Sequence, residues 1–138
     1  MFFMAKIRVG SAVLVQKDGK LLLGISGKSD YYGALIIPGG GVLLYERFED
    51  AAVREIREEA GIEIKNLRQL GAYQMIDPER ENHRVIIYWQ ADWVSGEVRP
   101  STDLLSAKFY SRAEIQAEAK RGVFSDIATQ VLKDSGWL

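Results

Sequence analysis

The segment "GGVLLYERFEDAAVREIREEAGI", Gly40 to Ile62, decides how this chain is read. Its second half carries helical spacing. Phe48, Ala52, Ile56 and Ala60 recur every four residues as an apolar stripe, and Gly61 follows where helices end. The spacing predicts a helix over 48–60. Glu55, Glu58 and Glu59 fall beside the stripe, within an arc of about 100° on a helical wheel. Like charges so spaced destabilise a helix by about 0.2–0.5 kcal/mol per pair. Either that face is simply solvated, or a bound cation offsets the repulsion.

The whole-chain totals narrow the choice. A chain of 138 residues fits a single domain with its own core, expected to span 1–138. Its hydrophobic fraction of 47% and charged fraction of 27% are those of a globular protein. A formal charge of -1 gives no support to nucleic acid as a main partner. The absence of cysteine removes disulfides, thiolate metal sites and a cysteine nucleophile, and the single histidine, His83, removes a multi-histidine site. A metal ion here must be held mainly by oxygen, which points to magnesium, manganese or calcium. The start "MFFMAKIR" is too short an apolar run for a signal peptide, Met4 is an alternative start, and no stretch reaches the length of a membrane span. The expectation is a soluble, cytoplasmic protein.

Along the chain, Ile7, Val9, Val13 and Val15 alternate as in a strand, and "KDGK" at 17–20 marks a hairpin into "LLLGI". Residues 26–33 read as a loop, and "PGGG" at 38–41 as a point of backbone flexibility. A strand is expected around Leu67–Tyr73, a polar loop at "IDPEREN", and a long strand at "RVIIYWQADWV". Another strand follows at Leu104–Tyr110, then a capping box at Ser111 and Glu114, and a terminal amphipathic helix marked by Phe124, Ile127, Ala128, Val131 and Leu132. This pattern is α+β, with a mixed sheet and helices packed on it.

Three carboxylates on one helix face beside a glycine loop make a preorganised site for hard cations. A divalent ion there converts repulsion into coordination, and a diphosphate needs such ions because the site otherwise repels it. The fixed positions Gly40, Glu46, Arg54, Glu55, Glu58, Glu59 and Gly61, with apolar Ile56 and Ile62, resemble the Nudix box. At usage of roughly 7% per residue, seven such coincidences have odds of about 10⁻⁸ at a given start. A solvated helix face does not explain Gly40, Glu46 and Arg54 at these offsets.

The resemblance implies a Nudix (MutT-like) fold with its sheet sandwiched between helices (α/β/α). It implies Glu55, Glu58 and Glu59 as metal ligands, one of them able to serve as general base, and Gly40 as a carbonyl ligand. Arg54 and Glu46 are implied as an orienting pair in the catalytic set, and Asp103 or Glu97 as a further loop acid. The cofactor implied is Mg²⁺, with Mn²⁺ as a substitute.

Two stretches depart from the family pattern. Leu43, Leu44 and Tyr45 replace an acid and a glycine before Glu46, and they are candidates for a partner surface such as a homodimer face. Leu35 stands where many members carry an aromatic residue shortly before "PGG". Pro78 reads as turn punctuation. Arg8 and Lys28 are candidates for phosphate contact, His83 for phosphate or base, and Tyr31, Tyr32, Tyr88 and Trp89 for base stacking. Strand alternation allows only one of Tyr88 and Trp89 into a given pocket.

The expected function is magnesium-dependent hydrolysis of the diphosphate bond in a nucleoside diphosphate linked to another moiety: ADP-ribose, a nucleotide sugar or a (d)NTP. The small size leans towards a compact nucleotide. The rivals are a non-catalytic Nudix-fold nucleotide-binding or sensor module, and a purely structural interaction domain.

Overall fold

The computed structural model describes residues 6–138, so the start with Met4 lies outside the described residues. Strands β1 (Ile7–Lys17) and β2 (Lys20–Ser26) form the expected hairpin. Asp18 and Gly19 both take positive φ, 51° and 74°, the twist a two-residue hairpin turn requires. Short strands β3 (Leu35–Ile36) and β4 (Gly39–Gly41) precede helix α1 (Phe48–Ala60). Strands β5 (Glu63–Asp77), β6 (Asn82–Ser95) and β7 (Leu104–Tyr110) follow, then helices α2 (Arg112–Lys120) and α3 (Asp126–Asp134). No helix among the described residues is long and apolar enough to cross a membrane.

One mixed sheet runs β3-β2-β1-β6-β5, with β4 paired to β1 and β7 to β2. Its central pair, β1 and β6, is parallel, and the other pairs are antiparallel. Alternation along the strands supplies two cores. Val13, Val15, Leu22, Ile87 and Trp89 pack with Ala52, Ile56 and Ala60 of α1. Leu14, Leu21, Leu23 and Tyr88 pack with Ile115, Val131, Leu132 and Trp137 on the opposite face. The result is the α/β/α sandwich of the expected fold.

The differences from expectation have physical reasons. The glycine run is a strand: Gly39, Gly40 and Gly41 pair with Ala12, Ser11 and Gly10. A Cβ at Gly39 would lie 2.4 Å from the Ser11 carbonyl oxygen, so the glycine there permits close approach of two backbones. Phe48 is 44% exposed and does not continue the buried stripe, which Ala51 and Ala52 begin instead. Ile7 and Val9 are also exposed. Strand β5 starts earlier than expected because Asn66, at φ 57°, bulges the ladder between Lys65 and Arg68 and breaks the alternation. Phe124 precedes α3 and bridges to Leu35, itself buried in the core and so removed from base stacking.

The caps behave as read. Gly61 takes φ 72° and donates its N–H to the Arg57 carbonyl. Ser111 and Glu114 form both halves of the capping box.

Buried Ser11 ties α1 to the sheet. Its hydroxyl donates to the Phe48 carbonyl at 3.0 Å and accepts from Trp89 Nε1 at 2.9 Å. Ser11→Ala strands the indole N–H in the core, which costs about 1–3 kcal/mol. Thermal unfolding of that variant should show a Tm several degrees below the wild type.

Candidate active site

Arg54 locks the glycine strand, the following loop and α1 together. Its Nε and Nη2 donate to Glu46 at 2.7 and 2.9 Å, a two-pronged pair, and Nη2 also donates to the Gly41 carbonyl at 2.9 Å. Nη1 donates to Glu55 at 2.8 Å and to Glu58 at 3.1 Å. The Arg54 guanidinium, helped by the Leu43 N–H, draws the Glu46 pKa down to about 2. Glu46 in turn raises that of Arg54. Tyr45, where the family commonly has glycine, holds φ 67°, a left-handed conformation costly for a side chain of this size.

The three glutamates of α1 meet different surroundings. Glu58 is 58% exposed and faces Arg54. Glu55 lies against Gly40, where a Cβ would come within 2.3 Å of its carboxylate and push it aside. Glu59 is buried at 4% exposure. Neither of its oxygens has a hydrogen-bond partner; the nearest cation is Lys28 Nζ at 3.5 Å from Oε1. Lys28 Nζ also donates to the Gly39 carbonyl at 3.2 Å. Burial pushes the Glu59 pKa up to about 7, with Lys28 opposing the shift and Glu55 adding to it.

Among the described residues, no three acidic or imidazole side chains converge on one ion as they stand. Arg54 engages Glu55 and Glu58 instead, and Lys28 engages Glu59. The donor set nevertheless suits a hard divalent cation. It is all oxygen, it includes two buried oxygens without hydrogen bonds, and one of its carboxylates lies against Gly40.

A cleft of about 770 Å³ begins at Gly39–Gly41 and Lys28 and runs between the sheet and α3. Arg8, Tyr31, Tyr73, Tyr88 and Ile127 are in its wall. Arg8 and Tyr31 thus lie where a ligand can meet them. Tyr32, 70% exposed, lies outside the wall. Trp89 and His83 also lie outside it: alternation places His83 with Val85, Ile87 and Trp89 on the face that α1 covers. Its Nε2 is buried without a hydrogen-bond partner. Asp103 is exposed and outside the wall, although its carbonyl accepts from Gly27, next to Lys28, at 3.0 Å. Glu97 is exposed in the loop that follows β6. Pro78 opens a 3-10 turn.

Sequence reading missed a polar network at the cleft's far end. Asn82 Nδ2 donates to the Tyr31 hydroxyl at 2.8 Å, that hydroxyl donates to Met75 Sδ at 3.0 Å, and Arg84 Nε donates to Asn82 Oδ1 at 2.9 Å. A signal existed: Asn82, Arg84, Ile86 and Tyr88 occupy every second position of β6 and so share one face. Gly39 was missed as well, because nothing in a run of glycines marks which carbonyl faces a cation.

The Glu59 environment sets a pH dependence. A carboxyl whose folded pKa exceeds its ordinary 4.5 favours folding while protonated, and that advantage is lost as pH rises from 4.5 through about 7. Glu59→Gln should therefore stabilise the metal-free protein by about 1–3 kcal/mol at pH 8 and hardly at all near pH 4.5. Urea unfolding at the two pH values checks this.

Comparison with known proteins agrees with this geometry. The model of the NUDIX domain matches residues 5–128. The chain is 34% identical over 97 residues to a protein of Methanocaldococcus jannaschii named ADP-ribose pyrophosphatase, covering 70% of this chain and 57% of that one. It is 28% identical over 116 residues to the NAD-capped RNA hydrolase NudC of Photobacterium profundum, covering 83% of this chain and 42% of the relative. The chain thus spans about half the length of these two relatives. The crystal structure of a MutT NUDIX hydrolase from Burkholderia pseudomallei superposes with a TM-score of 0.83 at 25% identity, covering 94% of this chain and 98% of that one. With the family model spanning nearly all of the sequence, and the glycine strand, Arg54 lock and glutamate helix in place, this chain belongs to the Nudix hydrolase family.

Proposed function

We propose that this chain hydrolyses the diphosphate bond of a nucleoside diphosphate linked to another moiety, with Mg²⁺ as cofactor and Mn²⁺ able to replace it. The observation that carries the reading is Glu59, an acid buried without hydrogen bonds beside Lys28, which lines the cleft together with the glycine strand. Such an acid destabilises the fold by itself, and perturbed acids of this kind cluster at functional sites. Glu55, Glu58, Glu59 and the Gly40 carbonyl are the ligands in this proposal. When bound, a divalent cation neutralises diphosphate charge and lowers the pKa of an attacking water.

The chain's own residues do the rest. Arg54, paired to Glu46, keeps α1 in register with the glycine strand, so Glu55 and Glu59 are held before any ligand arrives. Arg8 presents a positive charge to the phosphates. Tyr31 and the pair of Tyr73 with the buried Tyr88, edge to face at 5.4 Å, supply an aromatic wall against which a base can pack. The cleft's volume, about 770 Å³, falls in the usual range for small-molecule sites. Tyr32, His83 and Asp103 have no contact role in this reading.

The relative named ADP-ribose pyrophosphatase makes ADP-ribose the first substrate to test. With Mg²⁺ and a panel of ADP-ribose, nucleotide sugars and (d)NTPs, AMP plus ribose phosphate is the expected product pair. NMP plus pyrophosphate would assign a triphosphate substrate instead. Glu59→Gln should lower kcat by orders of magnitude and leave the fold intact. No cleavage of any diphosphate with either metal ion would refute the enzyme reading.

The engagement of Glu55 and Glu58 by Arg54, and of Glu59 by Lys28, favours one rival, a nucleotide-binding module without hydrolysis. Tight ADP-ribose binding without products would identify it. A homodimer face is proposed at Leu44 and Tyr45, which are 82% and 96% exposed. Sedimentation velocity should then show a dimer that Tyr45→Ser weakens; a monomer at all concentrations would exclude it.

A further inference from the structure

Lys28 touches the site without belonging to the signature that marks the family. It follows β2, and its ammonium has two oxygen neighbours, the Gly39 carbonyl at 3.2 Å and Glu59 Oε1 at 3.5 Å. Its side chain is 30% exposed, against 5% for that of Glu59, and it also lines the cleft. The site's other cation, Arg54, is engaged by Glu46, Glu55, Glu58 and the Gly41 carbonyl. Among the described residues, Lys28 is therefore the one cation within ion-pair distance of the buried carboxylate.

We infer that Lys28 is the resident cation of this site: it pairs with Glu59 while no divalent ion is bound, and gives up that carboxylate for the cleft when one binds. The inference rests on the proposed role of Glu59 as a metal ligand. A carboxylate and a carbonyl around an ammonium form the same hard oxygen environment that a divalent ion selects. The two cations cannot share it, because like charges at about 4 Å repel strongly where water is scarce. Lysine suits the exchange, being a compact charge on a flexible four-carbon stem with no fork to be dismantled. In the cleft the released ammonium meets the phosphates of the incoming ligand. Metal and phosphate binding thereby become coupled, and linkage makes the coupling reciprocal.

Melting of Lys28→Met, in wild-type and Glu59→Gln backgrounds, with and without saturating Mn²⁺, tests the exchange. Without metal, Lys28→Met should lower the wild-type Tm by about 3–10 °C. It should lower the Tm of the Glu59→Gln protein by clearly less, since there only the bond to the Gly39 carbonyl is lost. With Mn²⁺ the deficit should disappear, so that Mn²⁺ raises the Tm of Lys28→Met more than that of the wild type. In Mn²⁺, the same variant should bind the non-hydrolysable α,β-methylene-ADP about tenfold more weakly. Lys28→Gln, which retains a donor for Gly39, repeats the comparison should the methionine variant fold poorly.

A deficit that persists at saturating Mn²⁺ would make Lys28 a permanent structural partner and overturn the inference. Unchanged affinity for the ADP analogue would overturn its second half. If Mn²⁺ neither shifts the wild-type melt nor binds by electron paramagnetic resonance, the metal reading of Glu59 itself fails, and the inference falls with it.

Discussion

Arg54 projects from α1 into a ring of oxygen acceptors drawn from the loop, the glycine strand and its own helix. A planar guanidinium satisfies such a ring only in one orientation, so the geometry it enforces is narrow. That geometry sets how far Glu55 can approach Gly40, and through the same helix where Glu59 enters the sheet. The turn ahead of the helix pays for this with a left-handed tyrosine. The position of the candidate site therefore depends less on the glutamates than on the cation that bridges two of them.

Burying Glu59 pulls in the opposite direction from ordinary core formation. Its helical neighbours Ile56 and Ala60 leave water completely, and a carboxylate follows them in. Lys28 compensates it only in part, because the contact is long and the lysine side chain remains 30% exposed. A well-packed apolar residue would make a more stable helix at that position. Its retention is intelligible if the destabilised carboxylate gains a stronger partner during function.

Local rules account for much of the fold and of the candidate site. Helix 48–60, its glycine terminus, the hairpin at Asp18–Gly19 and the capping box are all legible in the sequence, because each residue's partners lie within a few positions. The Arg54–Glu46 pair is legible only through the resemblance to the Nudix box. Reading failed where the deciding partner was distant. Gly39–Gly41 looked flexible because the strand that pairs with them lies far upstream. Phe48 fitted a helical stripe that the sheet does not reach. Lys28 is one loop charge among several in the sequence, and only the fold sets it beside Glu59. Asn82 reaches Tyr31 of the cleft wall only where β5 and β6 meet around the turn at Pro78.

The parallel pairing of β1 with β6 at the centre of the sheet also bears on how the domain is made. β1 leaves the ribosome well before its long partner β6, which emerges only after the helix and β5 have been synthesised. Until then β1 has the β2 hairpin on one side and an unsatisfied backbone ladder on the other. Parallel pairs across such a span form slowly, since the chain between them must be ordered before any contact rewards it. The two faces of the sheet, and the cleft at its end, thus take shape late and together. A nascent chain stalled before β6 would display an open edge rather than half a binding site.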